Sequence, residues 1–118
     1  PLLYARSRVA HAAAAADLDV IDVPYLDLED LSGMVTEAEL VRDLGFSGKG
    51  CIHPKQISSI NEVFTPNDEA VANAKKIITA FKKAETGLVV IDGKLIEKPV
   101  LRHMERVVVI ANRVSEKR

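Results

Sequence analysis

The chain has 118 residues, with sixteen Lys and Arg against seventeen Asp and Glu, and a formal net charge of −1. That length supports one modest core, and the even charge balance excludes a general electrostatic case for nucleic acid or an anionic membrane. Apolar residues make up 47% but aromatics only 4%, with no Trp and one Cys, so the core must be aliphatic and no internal disulfide can form.

No apolar run approaches the ~20 residues of a membrane-spanning helix, and nothing suggests secretion, so a cytoplasmic protein is expected. The chain opens on Pro1 rather than Met, inside a helical pattern, and reads as a piece of a longer protein. Pro1 to about Asp17 is predicted helical. Pro1 suits a first turn. Ala12 to Ala16 is an unbroken run of the best helix former, small enough to pack closely on a sheet. His11 reads as an ordinary, partly buried helix residue.

Val20 to Tyr25 is the first strand candidate. Asp22 interrupts its apolar run, and a buried charge is costly unless paired, so Asp22 is expected at the strand's end. It either caps neighbouring amides or belongs to a ligand site. Pro24 cannot donate a ladder hydrogen bond. Asp27, Glu29 and Asp30 lack the full spacing of a metal loop and read as a solvated loop with turn and cap residues. Thr36 and Glu39 form a capping box, which predicts a helix through Leu44 with Ala38, Leu40, Val41 and Leu44 on its apolar face.

Gly45 ends that helix. Gly48 and Gly50 allow close approach of another backbone or a ligand, and Cys51 and Ile52 suit a strand covered on both faces. His53 then stands at the strand tip. Pro54 turns the chain out of the strand and opens a helix, which runs from Gln56 to Val63 with Ile57, Ile60 and Val63 on one face. Lys49 reads as a surface lysine at the strand start. The sequence has no Gly-x-x-x-x-Gly-Lys-Ser/Thr motif, which excludes a P-loop, and Lys49 lies at the wrong strand end to serve coenzyme phosphates. Helix, strand, helix, strand, helix is the grammar of a parallel sheet. In such sheets ligands bind at the carboxyl ends of the strands.

Thr65 to Asp68 marks a boundary. Thr65 or Asn67 can cap, and Asp68 and Glu69 suit a helix N-terminus. The next helix is predicted to run to about Glu85. Its buried stripe is Ala70, Ala74, Ile77, Ile78 and Phe81, and Lys75, Lys76, Lys82 and Lys83 form a solvated face. Asp92-Gly93 between two apolar runs predicts a two-residue hairpin over residues 88–96, ended by Glu97-Lys98-Pro99. A last helix, Val100 to about Val114, carries Leu101, Met104, Val108 and Ala111 on one face. Ser115 to Arg118 reads as a fraying tail.

The run Gly45-Phe46-Ser47-Gly48-Lys49, then Ile52-His53-Pro54-Lys55-Gln56, Asn61 and Phe64-Thr65-Pro66, resembles the signature of the citrate lyase β-subunit and HpcH/HpaI aldolase family. That family includes citryl-, malyl- and citramalyl-CoA lyases. The likeness covers nearly the whole chain but only the C-terminal part of the family. It implies an α/β fold. Residues 1–64 would be the last two strands and helices of a (β/α)8 TIM-type barrel, which takes about 250 residues in full. Residues 65–118 would be a helix–hairpin–helix lid and oligomerisation extension.

The resemblance implies an Mg²⁺-dependent carbon–carbon lyase. A 3-hydroxyacyl-CoA thioester is split into acetyl- or propionyl-CoA and a 2-oxo acid, with the metal as Lewis acid and template. The family's metal ligands lie in the part this chain lacks, so no metal ligand is assigned. The coenzyme and substrate site would lie beside Ile21-Asp22, making Asp22, Val23, Pro24 and His53 binding candidates. His53 would hold the strand tip rather than transfer protons. Glu97 matches an acidic lid residue, Asp in many members, that reaches the active site of a neighbouring subunit as general acid or base. Its extra methylene alters reach. A homo-oligomer, trimer or hexamer, is implied. Two other readings stay open: a family member without thioester lyase activity, and an inactive piece whose exposed apolar surface drives association.

Overall fold

The computed structural model describes residues 2–84 and 87–117. The chain forms two compact units, Pro1–Phe64 and Thr65–Arg118.

In the first unit, α1 (Leu3–Ala15), β1 (Ile21–Asp22), α2 (Leu31–Leu44), β2 (Gly48–Lys49) and α3 (Ile57–Phe64) come in order, with a 3₁₀ turn at Pro54–Gln56 before α3. The strands run parallel, pairing Ile21 with Gly48 and Asp22 with Lys49. This is the βαβ arrangement that the alternation of patterns requires. The ladder is much shorter than residues 20–25, because Pro24 has no N–H to continue it. Cys51 and Ile52 lie past the ladder and are exposed. The expected cover on both faces is not there, since β2 stops at Lys49 and leaves both residues in the loop beyond it.

Both long helices of this unit end in the same way. At α1, Asp17 takes a left-handed φ of 56°, and the amides of Asp17 and Leu18 return to the carbonyls of Ala14 and Ala13. At α2, Gly45 takes φ 108°, and the amides of Gly45 and Phe46 return to Arg42 and Val41. This double bond pattern satisfies the last carbonyls. At α2 it also delivers Phe46 onto Val41, where both join Ala10 in the core with Val20, Leu44 and Phe64 around them.

Two helix expectations need correction. α2 starts at Leu31, ahead of the predicted capping box. Asp30 is its cap, with Oδ1 accepting from the Gly33 amide at 3.0 Å, so propagation begins there and Thr36 Oγ1 merely donates to the Ser32 carbonyl. Gly33 is required at that point, because a Cβ would collide with the Asp30 carboxylate and the Tyr25 hydroxyl. α1 buries the edge carrying Arg6, Ala10 and Ala13, leaving His11 and most of the alanine run exposed. The expectation on Pro1 lies outside the described residues.

In the second unit, α4 (Asp68–Lys83) is capped by Asn67, whose Oδ1 accepts from the Ala70 amide. Ala74, Ile77 and Phe81 form its buried stripe. The helix ends at Lys83, and the expected end at Glu85 falls outside the described residues. Strands β3 (Leu88–Ile91) and β4 (Lys94–Glu97) pair antiparallel. Asp92 and Gly93 both have positive φ, 50° and 77°, the geometry of a type I′ turn. The last helix, α5 (Lys98–Lys117), succeeds β4 without a linker and stays helical to Lys117. Ser115 to Lys117 of the predicted fraying tail are therefore helix, and Arg118 lies outside the described residues. The helical part is made of helix-compatible residues, and Lys117 favours the C-terminal end of the dipole. No helix among the described residues is long and apolar enough to cross a membrane.

Gly93→Ala should destabilise the second unit by about 1–2 kcal/mol, the cost of a left-handed Cβ, read as a lower urea midpoint at unchanged slope.

Candidate active site

The register that pairs Asp22 with Lys49 sets two opposite charges side by side at the carboxyl ends of β1 and β2. Helix α1 adds Arg6 and helix α2 adds Glu37. Lys49 Nζ donates to Asp22 Oδ2 at 2.7 Å, to Glu37 Oε2 at 2.6 Å and to the Val23 carbonyl at 2.8 Å. Arg6 donates through Nε and one terminal nitrogen to the two Asp22 oxygens, and through the same terminal nitrogen to Glu37 Oε1, all at 3.0–3.1 Å. The four side chains thus close a ring of two cations and two anions. The Lys49 side chain is 0% exposed and that of Asp22 4%.

Such a group is tolerated inside a protein only when every donor finds an acceptor. All three Lys49 protons do. Burial pushes the carboxyls of Asp22 and Glu37 up, but hydrogen bonds from Lys49 and Arg6, with the two positive charges, outweigh it and hold both below the ordinary range. Both carboxylates therefore stay ionised.

The same strand ends bind the adjoining loops together. The Gly50 amide donates to the Asp22 carbonyl at 2.9 Å. Pro24 lies against Gly50, where a Cβ would stand 3.2 Å from the Pro24 ring. Gln56, fully buried, donates from Nε2 to the Tyr25 carbonyl and accepts at Oε1 from the Ile52 amide, both at 2.9 Å. Tyr25 in turn donates its hydroxyl to Asp30, and Lys55 pairs with Glu29. His53 caps the 3₁₀ turn, with Nδ1 accepting from the Lys55 amide at 3.1 Å. A neutral His53 then carries its proton on Nε2, a free donor at the exposed tip.

Asp22, Val23, Pro24 and His53 therefore gather at one end of the parallel pair. Val23 and His53 are exposed and Pro24 half-buried, whereas the Asp22 carboxylate points into the ion ring. Glu97 ends β4 in the second unit and is exposed. Lys49, expected at the surface, is instead the most buried charge of the ring. Arg6, Glu37 and Gln56 were not singled out from sequence. Hydrogen-bonded partners in the ring are 12 to 31 residues apart, so no local pattern connects them. The one available signal was Asp22, a charge in an apolar strand that had to be paired.

The sequence model of the HpcH/HpaI aldolase/citrate lyase family matches residues 1–54, which contain the whole ion ring. Relatives extend the likeness to nearly the full chain. The citrate lyase subunit beta of Leuconostoc mesenteroides subsp. cremoris is 36% identical over 94% of this chain.

The chain belongs to the HpcH/HpaI aldolase/citrate lyase family.

The mitochondrial citramalyl-CoA lyase of Rattus norvegicus is 34% identical over 98% of the chain. The chain spans little more than a third of these family members, 38% of the first and 35% of the second. Among solved structures it is similar to the protein CitE of Mycobacterium tuberculosis, in complex with magnesium, acetoacetate and coenzyme A. The TM-score is 0.76 at 31% identity, covering 92% of this chain and 40% of that one.

Lys49→Met, which leaves the buried Asp22 carboxylate and the partly exposed Glu37 to Arg6 alone, should cost about 3 kcal/mol in denaturant unfolding. The ring also predicts acid lability. Asp22 and Glu37 have folded values below their unfolded ones, so their stabilisation is complete above the ordinary carboxylate range, about pH 4. It is lost as pH falls through the depressed folded values. The thermal midpoint should therefore drop on acidification below about pH 5, and Glu37→Gln should flatten that drop.

Proposed function

We propose that this chain supplies the last two βα units of a (β/α)8 barrel and a C-terminal lid. The complete protein would be a carbon–carbon lyase acting on a 3-hydroxyacyl-CoA thioester of the citramalyl-, malyl- or citryl-CoA type. The observation that carries this reading is the likeness, over nearly the whole chain, to a structure holding magnesium, acetoacetate and coenzyme A. Acetoacetate is a 3-oxo acid, and coenzyme A is the carrier of the proposed substrate.

In this reading the exposed strand tips bind the thioester. Val23 and Pro24 offer an apolar edge, and His53 offers its Nε2–H to an oxygen of substrate or coenzyme. Asp22 acts from behind, fixing β1 through Arg6 and Lys49. In cleavage, the bond between C2 and C3 of the acyl chain breaks and its electrons pass to the thioester as an enolate. The 3-hydroxyl gives its proton to water as its C–O bond becomes the carbonyl of the 2-oxo acid, and the proton later given to the enolate is restored from water, so no net proton is exchanged. Glu97, delivered by the lid of a neighbouring subunit in a homo-oligomer, gives its proton to the enolate carbon, releasing acetyl-CoA. General acid catalysis of this kind is worth about 10²–10⁴-fold.

Magnesium is part of the proposed reaction, but the described residues do not fit a site for it. No group of three His, Cys, Asp or Glu side chains among them is placed to hold a metal ion, and the two ring carboxylates, Asp22 and Glu37, are already neutralised by Lys49 and Arg6. Its ligands would come from outside this chain.

The test is an assay of the full-length protein for acetyl-CoA release from citramalyl-, malyl- and citryl-CoA with Mg²⁺. One substrate should be cleaved, and Glu97→Gln should lower kcat at least about 100-fold at similar KM. A Glu97→Gln rate equal to wild type overturns the lid assignment, and no cleavage of any thioester overturns the lyase reading.

A further inference from the structure

The segment leaving β1 is gripped from the β2 side at consecutive points. The Asp22 carbonyl accepts from the Gly50 amide, the Val23 carbonyl from Lys49 Nζ, and the Tyr25 carbonyl from Gln56 Nε2. Between the last two, Pro24 has no N–H to satisfy and rests against Gly50. Two of the three grips come from side chains with no exposed surface, an ammonium and a carboxamide. Yet the segment they hold is open: Val23 is 60% exposed and Leu26 78%.

A loop needs no such anchors merely to stay in contact with its sheet. Apolar side chains in place of a buried Lys and Gln would cost less desolvation. What a buried donor adds is a fixed position for its acceptor. Gln56 fixes the second loop as well, because its Oε1 holds the Ile52 amide next to His53. One buried carboxamide thus links the Tyr25 carbonyl to the Ile52 amide beside His53.

We infer that Lys49 and Gln56 are positioning residues, holding Val23–Pro24–Tyr25 as a rigid wall opposite His53 against which the apolar arm of an acyl thioester lies. This rests on the proposed function for the identity of the ligand, but not for the grip itself. Neither side chain touches the ligand. Both act through backbone carbonyls, and a misplacement of about 1 Å at such a wall can cost up to 100-fold.

The test uses the full-length protein with Gln56→Met, which keeps the volume and loses both hydrogen bonds. Lys49→Arg accompanies it, keeping the charge in the ring while moving the donor off the Val23 carbonyl. Two readouts are compared. The first is amide hydrogen exchange over residues 25–30, with residues 37–44 of α2 as internal reference. The second is the split between KM and kcat for the cleaved thioester. Either variant should speed exchange over 25–30 selectively and raise KM about 10-fold at nearly unchanged kcat. A purely structural role would instead lower the amount of folded enzyme, and with it apparent kcat, at unchanged KM. Wild-type exchange over 25–30 in both variants overturns the inference. So does faster exchange with unchanged KM. If wild type cleaves no thioester, the proposed function fails while the exchange readout still decides the grip.

Discussion

A lysine with no access to water, held between two carboxylates and a carbonyl, is the constraint on which the first unit depends. Lys49 cannot be buried without Asp22 and Glu37, and Arg6 balances the second of their two negative charges. The four residues come from α1, β1, α2 and β2, so the ring ties every element before α3 to one point. The apolar core of this unit holds Ala10, Met34, Ala38, Val41, Phe46 and Ile60. It supplies attraction without direction, and the ring supplies the direction.

Directionality has a chemical use at this end of the sheet. Parallel strands are two residues long here, too short for their ladder alone to fix the loops beyond them. Those loops are instead fixed by side chains: Lys49 and Gln56 on carbonyls, Asp30 on the Gly33 amide, and His53 on the Lys55 amide. Polar bonds thus shape the backbone at the strand tips, while Val23, Leu26 and His53 remain exposed there. The result is rigid backbone beneath and accessible side chains above.

Local chemistry was legible in the sequence wherever it stayed local. Asp92-Gly93 between apolar runs specified a hairpin and its turn, because only positive φ at both positions closes two strands over two residues. Gly45 marked a helix end for the same kind of reason. The stripe of Ala74, Ile77 and Phe81 came from helical spacing alone. The Thr36–Glu39 pattern does not start α2 because Asp30 caps the Gly33 amide earlier, which leaves Thr36 inside the helix with its hydroxyl on the Ser32 carbonyl. Lys49 was misread because its partners lie on other elements. A lysine read as opening a strand looks solvated, but Lys49 ends β2 and the helices on either side supply its cover. Gln56 was hidden likewise, since both of its partners are backbone groups in loops.

The join between β4 and α5 has a mechanical consequence. Glu97 is the last residue of the strand and Lys98 the first of the helix, with nothing between them. A linker of even two residues would let the hairpin swivel independently of the helix. Without one, the Glu97 backbone is rigidly attached to the end of a 20-residue rod, about 30 Å long. Any partner that engages the far end of that rod works on the carboxylate through a long arm. A small tilt there re-aims Glu97 directly, with no slack to absorb it.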